Sequence, residues 1–227
     1  MLLCNGSAAA MADCVVLLHG LARTSASMGD MAEALTESGY RVANVDYPSR
    51  DYKIEELAPM AVAKGLKLCG DIAAEGHIHF VTHSLGGILV RYYLANEKID
   101  SLGRVVMLAP PNQGSHAADA MQDLPGFDWV NGPAGKQLGK GADSVPLTLG
   151  APDFEFAVIA GNRTIDPVTS AVLEDPDDGK VTVDDTKLEG TSDFAVVPAS
   201  HAYIMTNRTT IRLVLEFLAN GEFGDGG

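Results

Sequence analysis

Residues 77–90, HIHFVTHSLGGILV, constrain this chain more than any other stretch. Ile78, Phe80 and Val81 form a short apolar run rich in β-formers, which predicts a buried strand. Ile88, Leu89 and Val90, then Tyr92, Tyr93 and Leu94, continue as an apolar helix. Only Thr82-His83-Ser84-Leu85-Gly86-Gly87 lies between them, so the backbone must turn sharply. A serine on such a turn has its hydroxyl lifted above the sheet edge, beside the positive end of a helix. Gly86 and Gly87 suit the turn, because side chains there would collide with the neighbouring strand or helix.

The rest of the chain repeats the alternation. Strands are predicted at Cys14–Leu18, Tyr40–Tyr47, Arg104–Ala109, Phe154–Ala160 and Phe194–Val197, making six with the one at 78–81. Helices are predicted from Ser25 or Ser27, as cap, to about Ser38, from Lys53 to Ala74, and over 86–98. A last one runs from Thr209 to about Leu218, capped by Thr206-Asn207. Strands alternating with helices predict an α/β fold: a doubly wound, mainly parallel six-stranded sheet with helices on both faces. Residues 13–220 read as one domain, with irregular insertions at about 110–150 and 162–192. The first insertion has a weak helical pattern near 116–123 and 134–139. The second has a short β-prone piece, Val181-Thr182-Val183. Residues 1–12 read as a disordered arm.

Charge and cysteines narrow the function. Asp and Glu total 30 against 16 Lys and Arg, a formal charge of −14, which disfavours nucleic-acid backbones and anionic membrane surfaces as partners. No apolar run reaches the length of a membrane span. Cys4, Cys14 and Cys69 fit no zinc spacing, and Cys14 reads as a core thiol at the start of a strand rather than half of a disulfide, with a single bridge left open. The acidic loop 174–185 lacks the spaced EF-hand pattern, so it reads as a solvated surface rather than a metal site. No G-x-G-x-x-G follows the first strand, so no cofactor is expected. A cytoplasmic location is expected, or a secreted or periplasmic one if residues 1–12 are the remnant of a signal peptide.

Residues 83–87, His-Ser-Leu-Gly-Gly, resemble the elbow of the α/β-hydrolase superfamily in the form common among bacterial lipases and esterases. Thr82 stands where that pattern has its first glycine, and should open the strand–helix angle slightly. The resemblance implies a minimal form of the fold, without the two antiparallel strands that precede the first loop in larger members and without a large cap. It also implies the order nucleophile, acid, base. Ser84 is then the nucleophile. His201 is the only histidine after residue 116 and lies just past the last predicted strand, so it is the base. Asp178-Gly179-Lys180-Val181 resembles the Asp-Gly-x-Val segment of bacterial lipases, which implies Asp178 as the acid. Asp166, in the loop after strand 154–160, is the alternative, with Asp177 and Asp184 outside these. His19-Gly20-Leu21 resembles the oxyanion turn of lipases, implying the backbone N–H groups of Leu21 and Leu85 as the oxyanion hole. His19 and His83 read as structural. Ala109–Ser115 resembles the turn after the next lipase strand, with Asn112 and Gln113 ordering it.

This constellation implies hydrolysis of carboxylic esters through an acyl-serine intermediate, on a small-molecule or lipid ester. A small cap implies an open cleft suited to short or medium acyl chains. A true lipase, a phospholipid deacylase or a thioesterase would use the same residues. A non-catalytic binding protein of the same fold would lack one of them.

Overall fold

The computed structural model describes residues 13–70, 76–121, 127–165, 173 and 176–224. The expected N-terminal arm, 1–12, lies outside them. Six strands, β1 (Cys14–Leu18), β2 (Arg41–Val45), β3 (Ile78–His83), β4 (Leu102–Leu108), β5 (Phe156–Gly161) and β6 (Asp193–Val197), form one sheet in the order β2-β1-β3-β4-β5-β6. Every neighbouring pair is parallel. All the strands therefore present their carboxyl ends to one edge.

Period-two alternation sorts the side chains onto the two faces. Cys14, Val16 and Leu18 of β1 face one core, together with Phe80, Val105 and Met107. Helices α2 (Ile54–Cys69) and α3 (Leu85–Asn96) cover this core through Leu57, Ala61, Ile88 and Leu89. Val15 and Leu17 face the other core with Val81, Val106 and Ile159. It is covered by α1 (Gly29–Glu37) and by the C-terminal helix, here α8 (Arg208–Asn220), through Met31, Leu35, Leu213 and Phe217. Each fully buried Val, Leu, Ile or Phe contributes about 1.5–3 kcal/mol of burial, which offsets the ordering of the chain.

Between β4 and β5 lie α4 (His116–Met121), α5 (Phe127–Lys136) and α6 (Val145–Thr148). The insertion is thus more helical than its Gly- and Pro-rich sequence predicts. Gly132, at φ 62°, breaks α5 in the middle, and a β-carbon there would fall 1.8 Å from the Arg50 carbonyl. Between β5 and β6, Val181–Val183 is not a strand. Thr182 makes one antiparallel bridge to Asp177, and its hydroxyl then accepts the Asp185 N–H at 3.0 Å to start the short helix α7 (Val183–Thr186).

The caps divide in the same way. Asn207 Oδ1 accepts the N–H groups of Thr209 and Thr210, as its sequence position predicts. Ser25 and Ser27 cap nothing: residues 25–28 form a 3₁₀ turn, and the Ser27 hydroxyl donates to the Thr24 carbonyl. Helix α2 stops at Cys69, where Gly70 takes φ 64°.

Cys14 is not a free core thiol. It is bonded to Cys69 across a sequence separation of 55 residues. Helix α2 runs back against the strand direction, so its last residue returns to the amino end of β1, where Cys14 begins. Closing a loop of that length is worth at most roughly 4 kcal/mol by the chain-entropy argument. Replacing both cysteines with alanine should lower Tm by roughly 5–10 °C in calorimetry. An unchanged Tm would show that the bridge adds nothing to the apolar packing around it.

Candidate active site

The sequence-predicted residues converge on the carboxyl edge of the sheet. Ser84 joins β3 to α3 with φ 51° and ψ −117°, a backbone region that a residue with a side chain enters only when its surroundings hold it there. The hold is steric. A β-carbon on Gly86 would lie 2.6 Å from the Leu18 carbonyl of β1, so only glycine lets α3 start this close to the sheet. Thr82 is accommodated on the other side, where a β-carbon on Gly87 would sit 3.3 Å from its Oγ1. Leu85 is the first residue of α3, so its N–H has no intrahelical acceptor and is free for an oxyanion.

The turn after β1 packs onto this elbow. A β-carbon on Gly20 would lie 2.6 Å from His83 Nδ1 and 3.3 Å from Ser84 Cβ. Ala22, at φ 55°, completes the turn, and its N–H donates to Ser49 Oγ at 3.1 Å. His19 is fully buried and stacked on Tyr47, ring centroids 4.0 Å apart. Its Nδ1 lies 2.8 Å from the Gly20 carbonyl, and the Tyr47 hydroxyl donates to the His19 carbonyl. Leu21 is held between these anchors and lines the cleft. Tyr47 and Ser49 carry no motif in the sequence; only their place beside the turn gives them this role.

Asp178 and His201 meet across the loops that flank β6. His201 Nδ1 lies 2.8 Å from Asp178 Oδ2, and the His201 N–H donates to the Asp178 carbonyl at 2.9 Å. The other carboxylate oxygen, Oδ1, accepts the N–H groups of Lys180 and Val181 at 3.0 and 2.8 Å. The Asp178 side chain is 1% exposed, so its direction is set entirely by these bonds. Gly161 makes room for it. A β-carbon there would lie 3.0 Å from Asp178 Cβ and 2.5 Å from the Ala199 carbonyl. The other acids stand apart. Asp177 accepts the Gly179 N–H at 2.6 Å, and Asp184, 83% exposed, pairs with Lys187. Asp166 lies outside the described residues.

Ser84, His201 and Asp178 line one cavity of about 990 Å³. Among the described residues the Ser84 hydroxyl makes no hydrogen bond, to His201 or to any other group. Such bonds often close only when substrate is bound. Asn112 and Gln113 order the turn after β4, as expected. Asn112 Nδ2 donates to the Thr186 carbonyl and Gln113 Nε2 to that of Lys187, tying the turn after β4 to α7. Buried Arg91 donates to Asn112 Oδ1 and to the Gly150 carbonyl, and burial lowers its pKa to about 10. Among the described residues, no group of three or more His, Cys, Asp or Glu is disposed to hold a metal ion.

A six-stranded parallel sheet with helices on both faces, a serine on a positive-φ turn at its carboxyl edge and a carboxylate–imidazole pair on the same cavity is the arrangement of an α/β hydrolase. The chain belongs to the alpha/beta hydrolase family, whose model matches residues 15–217. Its fold is similar to that of the lipase BlEst2 from Bacillus licheniformis in mature form (TM-score 0.72, 21% identity, 93% of each chain covered). It is also similar to the phospholipase PlaB from Legionella pneumophila (TM-score 0.68, 19% identity), over 91% of this chain and 59% of that one. A third similar structure is the metagenomic carboxyl esterase MGS0156 (TM-score 0.63, 18% identity, 87% and 66% covered). No curated protein sequence matches the chain.

Burial pushes the pKa of His83 well below its usual value, and the neighbouring His201 ring and the Arg23 guanidinium push the same way. Burial also lowers the pKa of His19 and His79. Each of the three therefore binds its proton less readily in the fold than in the unfolded chain, where imidazoles titrate near pH 6.5. The unfolded state then carries more protons, so stability is complete above that pH and is lost as pH falls toward the lowered values. The urea midpoint should drop between pH 7.5 and 5.5, and the drop should be smaller in His83→Gln. An equal drop in both would show that His83 contributes nothing to it.

Proposed function

We propose that this chain hydrolyses carboxylic esters through an acyl-Ser84 intermediate, with His201 as general base and Asp178 as its orienting acid. The observation that carries the reading is the buried Asp178–His201 hydrogen bond opening onto the same cavity as the strained Ser84. His201 Nε2 takes the proton as Ser84 Oγ attacks the ester carbonyl. The backbone N–H groups of Leu21 and Leu85 hold the oxyanion of the tetrahedral intermediate. His201 then gives the proton to the departing alcohol, and water repeats the sequence to release the acid. Asp178 keeps the proton of the neutral imidazole on Nδ1, which leaves Nε2 as the acceptor.

The lipase, phospholipase and esterase among the similar structures support an ester substrate. Ala117, Ala118, Gly135 and Leu138 line the cleft as a place for the acyl chain, and short or medium chains are assigned to it because the insertion after β4 is too short for a large cap. Among the described residues no helix is long and apolar enough to cross a membrane. The Cys14–Cys69 bridge favours an oxidising compartment over the cytoplasm expected from the sequence.

A fluorophosphonate probe should label a single peptide containing Ser84, and Ser84→Ala should lower kcat by roughly 10⁴-fold or more. Asp178→Asn should lower kcat by about 10³–10⁴-fold, while Asp166→Asn stays near normal. The reverse result would move the acid to Asp166. Across nitrophenyl esters from acetate to palmitate, kcat/KM should peak at short or medium length, and a preference for palmitate would reject the chain-length assignment.

A further inference from the structure

The cleft departs from the charge balance of the chain that builds it. Acids outnumber bases 30 to 16 over the whole sequence. Among the described residues that line the cavity the balance inverts: Arg23 and Lys180 are there, and the one carboxylate is Asp178, which is committed to His201 and to backbone N–H groups. Arg23 follows the Leu21–Ala22 turn directly. Its guanidinium has no ion pair or hydrogen bond among the described residues, although the chain has acids to spare. Its charge bears on the buried ring of His83, next to Ser84, so it acts close to the nucleophile rather than out in solvent.

The described lining carries its charge unevenly. The segment after β4 brings Ala117, Ala118 and Leu138 with Ser115 and Asn131, and no charged side chain. The segment after β1 brings Arg23, with Thr24 and Ser27 among Leu21, Ala22 and Ala26. An acyl chain belongs against the uncharged side, which leaves the side of Arg23 for the alcohol part. A guanidinium with five N–H donors and no partner fits a phosphate or carboxylate. The overall negative charge would repel such a substrate, so a local cation is needed to hold it.

Resting on the proposed ester hydrolysis at Ser84, we infer that the preferred substrates are esters whose alcohol part carries an anionic group, and that Arg23 is the specificity residue that binds it. The chemistry is shared by phosphate-bearing and carboxylate-bearing alcohols. Three butyryl esters separate the sources: 1-butyrylglycerol, 1-butyrylglycerol 3-phosphate and butyrylglycerate, with acid release followed by titration. At least one anionic ester should exceed the neutral one in kcat/KM by about tenfold. That ratio should collapse toward one in Arg23→Gln and largely survive in Arg23→Lys, which keeps the charge but not the fork.

No preference for either anionic ester would overturn the inference, as would an equal loss on all three esters in Arg23→Gln. So would a preference for monomethyl succinate over methyl butyrate, which would place the anion on the acyl side. In each of those cases ester hydrolysis itself would stand. Failure of fluorophosphonate to label Ser84, with no ester cleaved, would remove instead the reading on which the inference rests.

Discussion

The first turn of α3 sits against the end of β1 at a distance only glycine allows, and the rest of the site depends on that approach. The Leu18 carbonyl occupies the space a β-carbon at Gly86 would need. With the helix pressed there, the chain between β3 and α3 is too short for ordinary backbone angles, and Ser84 is forced to φ 51°. The strain has a use. In the proposed mechanism this is what lifts the Ser84 hydroxyl off the sheet edge beside the Leu85 N–H. Were α3 to lift by the width of a methyl group, Ser84 could relax, and both groups would turn away together.

Asp178 and His201 are held by a different device. The elbow is positioned by steric pressure, whereas the Asp178–His201 pair is positioned by hydrogen bonds in irregular backbone. Two backbone N–H groups fix one oxygen of Asp178, and the other is left for the imidazole. A loop held in this way needs its own support. Asn112, Gln113 and Ser115 supply it by bonding from the turn after β4 to the carbonyls of Thr186, Lys187 and Lys180. Arg91 on α3 locks the same turn from below. Elbow and acid loop thus share a foundation, although they lie far apart in sequence.

Much of this was legible before any coordinates. All six strands fall where apolar β-branched runs predict them, because a parallel sheet covered on both faces needs such runs without interruption. The strand-to-helix turn at Ser84 forms where its glycines predict it. What was hidden is what depends on distant packing. Cys14 looks like any core residue until α2 returns Cys69 to it. Val181–Val183 has strand-forming residues but no partner strand, and Thr182 turns it into a helix start instead. Gly161 reads as a strand breaker, and its second duty, clearing space for Asp178, appears only when the two loops meet.

By itself, the sequence determined the alternation of strands and helices and the strand-to-helix turn that carries the serine, since these follow from local periodicity and from glycine stereochemistry. Only the tertiary structure decided which aspartate stands beside His201, which cysteines are joined, and which arginine lines the cleft with no partner among the described residues. Those outcomes depend on groups from separate loops arriving within a few ångströms of each other, and no local pattern records where a loop will be when the sheet beneath it has formed.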